Sequence, residues 1–294
     1  MKTRSMALVA VLAVAAVLLF VAPTDDVDAA DQNVASVNGV AYATLEDAVE
    51  AAEDGDVVVL IGDVEVDEPI TVDHSITLDL NGHTVINNVV KERAFIVAAP
   101  SFTIDGTDAG SSMVIPESNT GSYGFVKITI PSKVTIDGGT YEGDTDNGAF
   151  VKIFRNDSMD ASGSTVTLND ASMRSNNDFF NTDTLYTDAS TPTLIVNGGT
   201  YVCETMAFGA DTMHLSPITF TNVTVTSGTG PCIEASGSAC TYTNCKFTVT
   251  DGDPNHYGTT AIAVSWMGAA TIDGGTYTST GYGAYVYSSG GTIT

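Results

Sequence analysis

Apolar and polar residues alternate along this chain in short runs, and one eight-residue pattern of them returns eight times. Its plainest copies are VTIDGGTY at residues 134–141, LIVNGGTY at 194–201 and ATIDGGTY at 270–277. The others begin at Leu78, Phe102, Val166, Ile218 and Cys240, so the steps between successive starts are 24, 32, 32, 28, 24, 22 and 30 residues. Positions 1 and 3 are apolar with one residue between them, the two-residue period of a half-buried strand. Position 5 holds Gly82, Gly106, Gly138, Asp170, Gly198, Asn222, Asn244 or Gly274. These residue types adopt a left-handed backbone at least cost, so the pattern predicts that each strand ends in the same corner. Position 8 is apolar again (Val85, Ala109, Tyr141, Met173, Tyr201, Val225, Phe247 and Tyr277), which returns the chain to the same core.

A second apolar run lies between copies, around Phe95, Phe125, Phe150, Ile233, Ile262 and Tyr285. Each repeat therefore supplies two or more short strands and has no room for a long helix. One such unit cannot bury its own apolar face, whereas stacked copies bury a continuous column. At about 4.8 Å per coil, eight coils make a rod of roughly 38 Å. A constant cassette with uneven steps implies a constant sheet carrying loops of different size on one side.

The segment TLEDAVEAAEDGDVVVLIGD at 44–63, the run ITLDLNGHTV at 76–85 and the repeated IDGGTY together resemble the right-handed parallel β-helix proteins of the pectin-lyase-like superfamily, and among them the secreted and surface adhesin-like members. The resemblance spans nearly all of the chain after residue 29. It implies an all-β, right-handed parallel β-helix of eight or nine coils over 57–294, closed at its start by a short capping helix over 44–56 and preceded by a linker and first strand over 30–43. Thr44 and Asp47 approximate a capping box, Leu45, Ala48, Val49 and Ala52 form one apolar face, and Gly55 is the stop. The last coil ends at Thr294 just after Ile293 opens a further cassette, which suggests a fragment, an early stop or an end-to-end self-association.

Residues 1–29 read separately. Lys2 and Arg4 precede an apolar run from Met6 to Ala22, and Val27-Asp28-Ala29 offers a small-residue cleavage site, so export with cleavage after Ala29 is expected. A retained N-terminal membrane anchor is the alternative. The chain has 10 basic and 36 acidic residues for a net charge of −26. Nucleic acid and anionic lipid are therefore poor partners. Much of the acid is Asp in corners and loops, where it is turn chemistry.

Catalytic signals are sparse. The resemblance implies an Arg or Lys base beside calcium if the chain is a lyase, yet the chain after residue 29 has only Arg93, Arg155 and Arg174 and few lysines. Asn181-Thr182-Asp183 echoes a hydrolase tripeptide of the fold without its companion motifs. His74, His83, His214 and His256 show no metal-ligand spacing. Acidic loops at 144–147 and 251–255 suit weak Ca²⁺ binding or plain solvated turns, and no cofactor is called for.

Outside the repeat, RSNNDFFNTDTLY at 174–186 gathers aromatics, amides and acids, which makes Phe179, Phe180 and Tyr186 candidate glycan contacts; the competing reading packs Phe179 and Phe180 beneath their own loop. Position 2 is Thr at 103, 135, 167, 219, 241 and 271, a ladder that reflects strand propensity or a regular surface for glycan or ordered water. Cys203, Cys232, Cys240 and Cys245 are candidate disulfide cysteines whose pairing the spacing leaves open, with Cys240 also readable as a small core filler. Asn156 and Asn222 head glycosylation sequons. These features favour a non-catalytic surface or secreted protein that presents loops and a Thr-rich face to glycans or neighbouring cells. The alternative is a polysaccharide lyase or glycoside hydrolase of the same fold.

Overall fold

The computed structural model describes residues 33–294 apart from 147, 157–158, 183–191, 206, 209–217, 237–238, 252–259, 266–267, 282 and 287–291. It is a parallel β-solenoid. Alternating strands stack in three sheets, with one strand from each sheet per coil. The first sheet has twelve strands, the second nine, and the third is divided into runs of five and three. Ten strands of the first sheet are parallel, from β3 (Val57–Leu60) to Thr292–Ile293, since its first two strands pair antiparallel. The number of rungs thus differs between faces, and slightly from the eight or nine coils that the cassettes predict. Between the two runs of the third sheet, Phe208 bridges Phe180 below and Ile233 above.

Six of the eight cassettes stack in the predicted register. Val134, Val166, Leu194, Ile218, Cys240 and Ala270 lie one above another, and so do Tyr141, Met173, Tyr201, Val225, Phe247 and Tyr277. The first two cassettes require correction. Ile76, not Leu78, stands under Phe102, and Thr77 joins the Thr column. The run ITLDL alternates strictly, so registers two residues apart both turn apolar side chains inward, and only the neighbouring coil selects between them. In the second copy the returning residue is Met113, buried and paired with Tyr141, whereas Ala109 is exposed.

At the six regular corners position 5 is left-handed, with φ of 62° at Gly138, 49° at Asp170, 67° at Gly198, 57° at Asn222, 53° at Asn244 and 71° at Gly274. Gly106 does not share this conformation, because its coil turns through a longer connection before Ser112. A size exchange follows the corner. Where position 8 is Tyr (141, 201, 277), position 6 is Gly; where it is Met, Val or Phe, position 6 is Ala171, Val223 or Cys245. The reason is steric. A Cβ at Gly139 would lie 3.0 Å from the Tyr141 hydroxyl and 3.1 Å from its ring, and the same hydroxyl approach is 3.1 Å at Gly199 and 3.0 Å at Gly275.

The lower end is closed as expected, with different boundaries. The helix α1 spans Leu45–Glu50, with the Thr44 side chain accepting from the Asp47 amide, and Leu45, Ala48, Val49 and Ala52 are buried. It stops short of residue 56 because the chain must turn into β3. Asp56 closes that turn by accepting the Glu53 N–H at 2.9 Å. The linker over 30–43 contains a hairpin absent from the sequence reading, β1 (Ala35–Val37) and β2 (Val40–Tyr42), with Asn38 and Gly39 at φ 50° and 81°. Asn-Gly between apolar runs is the signal that would have found it. By pairing β1 antiparallel to β3, the hairpin covers the first parallel edge.

The hydroxyls of Tyr141, Tyr201 and Tyr277 are buried without a hydrogen-bond partner. An unsatisfied buried hydroxyl costs about 1–3 kcal/mol. Tyr141→Phe is therefore expected to raise the denaturation midpoint, and Gly139→Ala, at φ +78°, to lower it. In a double-mutant cycle by chemical denaturation the two changes should couple by at least about 0.5 kcal/mol; strict additivity would refute the steric exchange.

Candidate functional site

Geometry divides the chain into a constant part and a variable part. The corner from first to second sheet takes two residues in most coils, as at 170–171 and 222–223. The connections from second to third sheet are longer and uneven, nine residues at 115–123 and eight at 143–150. These two connections wall a groove of about 770 Å³. Its floor is a column of outward residues from four successive coils, Val114, Glu142, Arg174 and Val202, each in register with the next.

The walls are held by hydrogen bonds between coils. The Asn176 amide N–H donates to Asp144 at 3.1 Å, Thr145 N–H to the Asn176 side chain at 3.0 Å, and Asn177 Nδ2 to the Thr145 carbonyl at 2.8 Å. Asn119 Nδ2 ties the other wall to the carbonyls of Asn87 and Val89 at 3.1 and 3.0 Å. Glu117, Asp146 and Glu204 complete the acidic lining. Arg174 and Glu142 are both exposed register neighbours, and among the described residues neither is ion-paired. Among the described residues no aromatic side chain lines the groove. Sequence reasoning missed it, because its residues come from four coils and share no motif; the unequal connections were the only trace.

Phe179 and Phe180 fall elsewhere. They are 0% and 1% exposed, and Phe179 sits in an internal aromatic stack, 5.6 Å from Phe150, 5.6 Å from Tyr201 and 6.0 Å from Phe208 between ring centroids. This corrects the expectation that they contact glycan: a ring enclosed on every side has no face left for a sugar. Tyr186 lies outside the described residues, as do Asp183, His214, His256 and 252–255 of the second acidic loop. Of the hydrolase-like tripeptide, Asn181 and Thr182 lie on a strand of the third sheet.

The arginines separate by environment. Arg93 is 2% exposed, donates from Nε to the Ala149 carbonyl at 3.2 Å and lies 5.6 Å from the Phe154 ring. Lys127 and Lys152 approach the same ring at 4.6 and 4.9 Å, and Lys127 is paired with Glu92 at 2.6 Å. This is a packed cation–π cluster of the third sheet. Arg174 is the one arginine among the described residues that lines the groove. Among the described residues no three His, Cys, Asp or Glu side chains group as metal ligands, and Asp144 of the first acidic loop is engaged by the Asn176 amide.

The Thr ladder is a geometric fact: Thr77, Thr103, Thr135 and Thr167 stack, Ile195 interrupts, and Thr219, Thr241 and Thr271 continue it. Beside it runs a side-chain ladder in which Asn169 Nδ2 donates to Asp137 at 2.6 Å and Asn197 Nδ2 to Asn169 at 2.9 Å. Asn222 is exposed at its corner, and Asn156 lies on a short hairpin strand.

The four candidate disulfide cysteines are all buried and stand unbridged in this structure. They serve different places: Cys203 ends a strand of the second sheet, Cys232 precedes one of the third, Cys240 faces the core from the first, and Cys245 fills a corner 3.5 Å from the Phe220 carbonyl. Burial raises all four pKa values, to about 11 for Cys232 and about 12 for Cys240.

Compared with family models, curated proteins and solved structures, the chain matches none. The class that stands is the one its geometry defines, a parallel β-solenoid. Among the described residues no helix is long and apolar enough to cross a membrane.

Because the folded state keeps thiol protons that the unfolded chain releases from about pH 9, thiol burial favours folding fully below that pH. The contribution is lost as pH rises toward the folded values of about 11 and 12. Thermal melts should therefore stay level to about pH 8.5 and fall above it, with a shallower fall in Cys240→Ala. With the protein kept reduced, a thiol reagent should label no cysteine in the native state at pH 7 and all 4 after denaturation.

Proposed function

We propose that this chain is an exported, non-catalytic β-solenoid of adhesin-like type, related in architecture to the pectin-lyase-like proteins, that holds glycans or neighbouring cell-surface components in the groove between its second and third sheets. The observation that carries this reading is the preformed groove across four coils, walled by the connections that do not repeat. Donors and acceptors stand side by side there, and a rigid concave surface binds at less entropic cost than a mobile one. The leader-like residues 1–29 and the acidic surface fit an extracellular setting without nucleic-acid or lipid partners.

The groove carboxylates Glu117, Glu142, Asp144, Asp146 and Glu204 also supply the residue type that a glycoside hydrolase would use. One pair of assays separates the two. A glycan array probed with the exported chain is expected to show retained sugars, while incubation with soluble polysaccharides, with and without calcium, is expected to leave their chain length unchanged. Release of shortened or unsaturated oligosaccharides would replace the adhesin reading with the enzymatic one, and an array without any bound glycan would remove both.

A further inference from the structure

We infer that Cys203 and Cys232 form a disulfide that staples two neighbouring coils, while Cys240 and Cys245 stay as thiols. The bond is independent of any ligand in the groove. Position within the coil separates the four cysteines. Cys240 lies near the start of the first-sheet strand Ala239–Thr243, and Cys245 sits at the corner that follows it. Three strand residues alone span about 10 Å, which is beyond the roughly 7 Å between Cα atoms that a disulfide tolerates. Cys245 directly precedes Lys246, which opens a second-sheet strand, whereas Cys203 closes one, so these two stand at opposite ends of that sheet. Cys203 and Cys232 share a corner: the first ends its second-sheet strand and the second immediately precedes the third-sheet strand Ile233–Ser236.

They also belong to adjacent coils. Ser227 lies directly above Cys203 in the ladder, and its Oγ is 3.5 Å from the Cys232 Sγ. Phe208, in the coil of Cys203, donates its N–H to the Cys232 carbonyl at 3.2 Å. The two connections run side by side, with the N–H groups of Gly228, Thr229 and Gly230 donating to the carbonyls of Cys203, Glu204 and Thr205 at 3.0, 2.9 and 3.3 Å. Both thiols turn inward and are buried. Burial first, and then the neighbouring Cys232, pushes the Cys203 thiol up. The staple falls at a seam, because among the described residues the two runs of the third sheet are joined here through the isolated bridges of Phe208 to Phe180 and Ile233. Closing residues 203–232 into a loop removes conformations from the unfolded chain and so stabilises the folded one.

The oxidant is an external disulfide, carried by a small thiol or by a thiol–disulfide exchange protein. One cysteine, its proton lost to solvent, attacks a sulfur of that disulfide and expels a thiolate. The other cysteine, deprotonated in turn, attacks the mixed disulfide at the protein sulfur and expels the second thiolate. The two protein sulfurs lose two electrons, and the external disulfide is reduced to two thiols. Because both thiols are enclosed in the core, the exchange takes place during folding, before the corner closes.

Refolding the full chain from denaturant at about pH 8 in a mixture of reduced and oxidised glutathione tests this. Once the remaining thiols are blocked in denaturant, cleavage after Glu204 and Glu234 places Cys203, Cys232 and the Cys240/Cys245 pair on separate peptides. Mass spectrometry should find the first two peptides joined and both Cys240 and Cys245 blocked. Dithiothreitol should lower the melting temperature of the oxidised parent by about 5 °C or more. It should leave Cys203→Ser unchanged, and Cys245→Ser should keep the link. Four blocked thiols, glutathione retained on Cys203 or Cys232, a link through Cys240 or Cys245, or an equal loss on reduction in Cys203→Ser would overturn the assignment. The peptide map of the parent decides the pairing even where a variant fails to fold.

Discussion

Each coil of this molecule is held by hydrogen bonds to the coils beside it, and that in-register parallel stacking is the constraint on which the rest depends. A coil of three short strands has no internal partner for its backbone N–H and C=O groups, and it cannot enclose its own apolar side chains. Stacked at a fixed rise, equivalent residues fall above one another and the inward columns merge into a single core. The same rule produces the outward columns. The Thr ladder of the first sheet, the Asp137–Asn169–Asn197 chain beside it and the mixed groove floor of the second sheet all follow from register.

Register in turn depends on the corner. If that corner varied in length, the return strand would slip and its side chains would exchange faces. Six coils keep it to two residues with the first in the left-handed region, and the only latitude is in volume. A tyrosine may return to the core only where the residue two before it lacks a Cβ, which explains why Gly-Gly-Thr-Tyr recurs as a block. The cost is a buried hydroxyl without a partner at Tyr141, Tyr201 and Tyr277.

A rigid corner on one side leaves variation to the other two. The connections after the second sheet differ from coil to coil, and two long neighbours at 115–123 and 143–150 turn a flat sheet face into a groove. This division has a physical cause, because a scaffold that stacks by repetition tolerates insertions only where they do not enter the ladder. The same logic makes Phe179 and Phe180 structural. They lie in a non-repeating stretch of sequence, yet the coil carries both rings into the core.

Local pattern alone specified the class of fold, two or more short strands in each repeat, the inward positions and the capping residues of α1, since alternation, left-handed corner residues and an N-cap threonine are local chemistry. Six registers were legible for the same reason. The first was not, because Ile76, Leu78 and Leu80 satisfy alternation equally in two alignments and only contact with Phe102 and Ile104 decides between them. The boundaries of α1 and the β1–β2 hairpin depended on how the chain meets β3. The groove lay furthest from view: Glu142, Arg174 and Glu204 are ordinary exposed residues far apart in sequence, and they line one groove only because the coils stack. Local pattern can specify a repeating backbone, whereas a site assembled from several coils exists only once their register and connections are fixed in three dimensions.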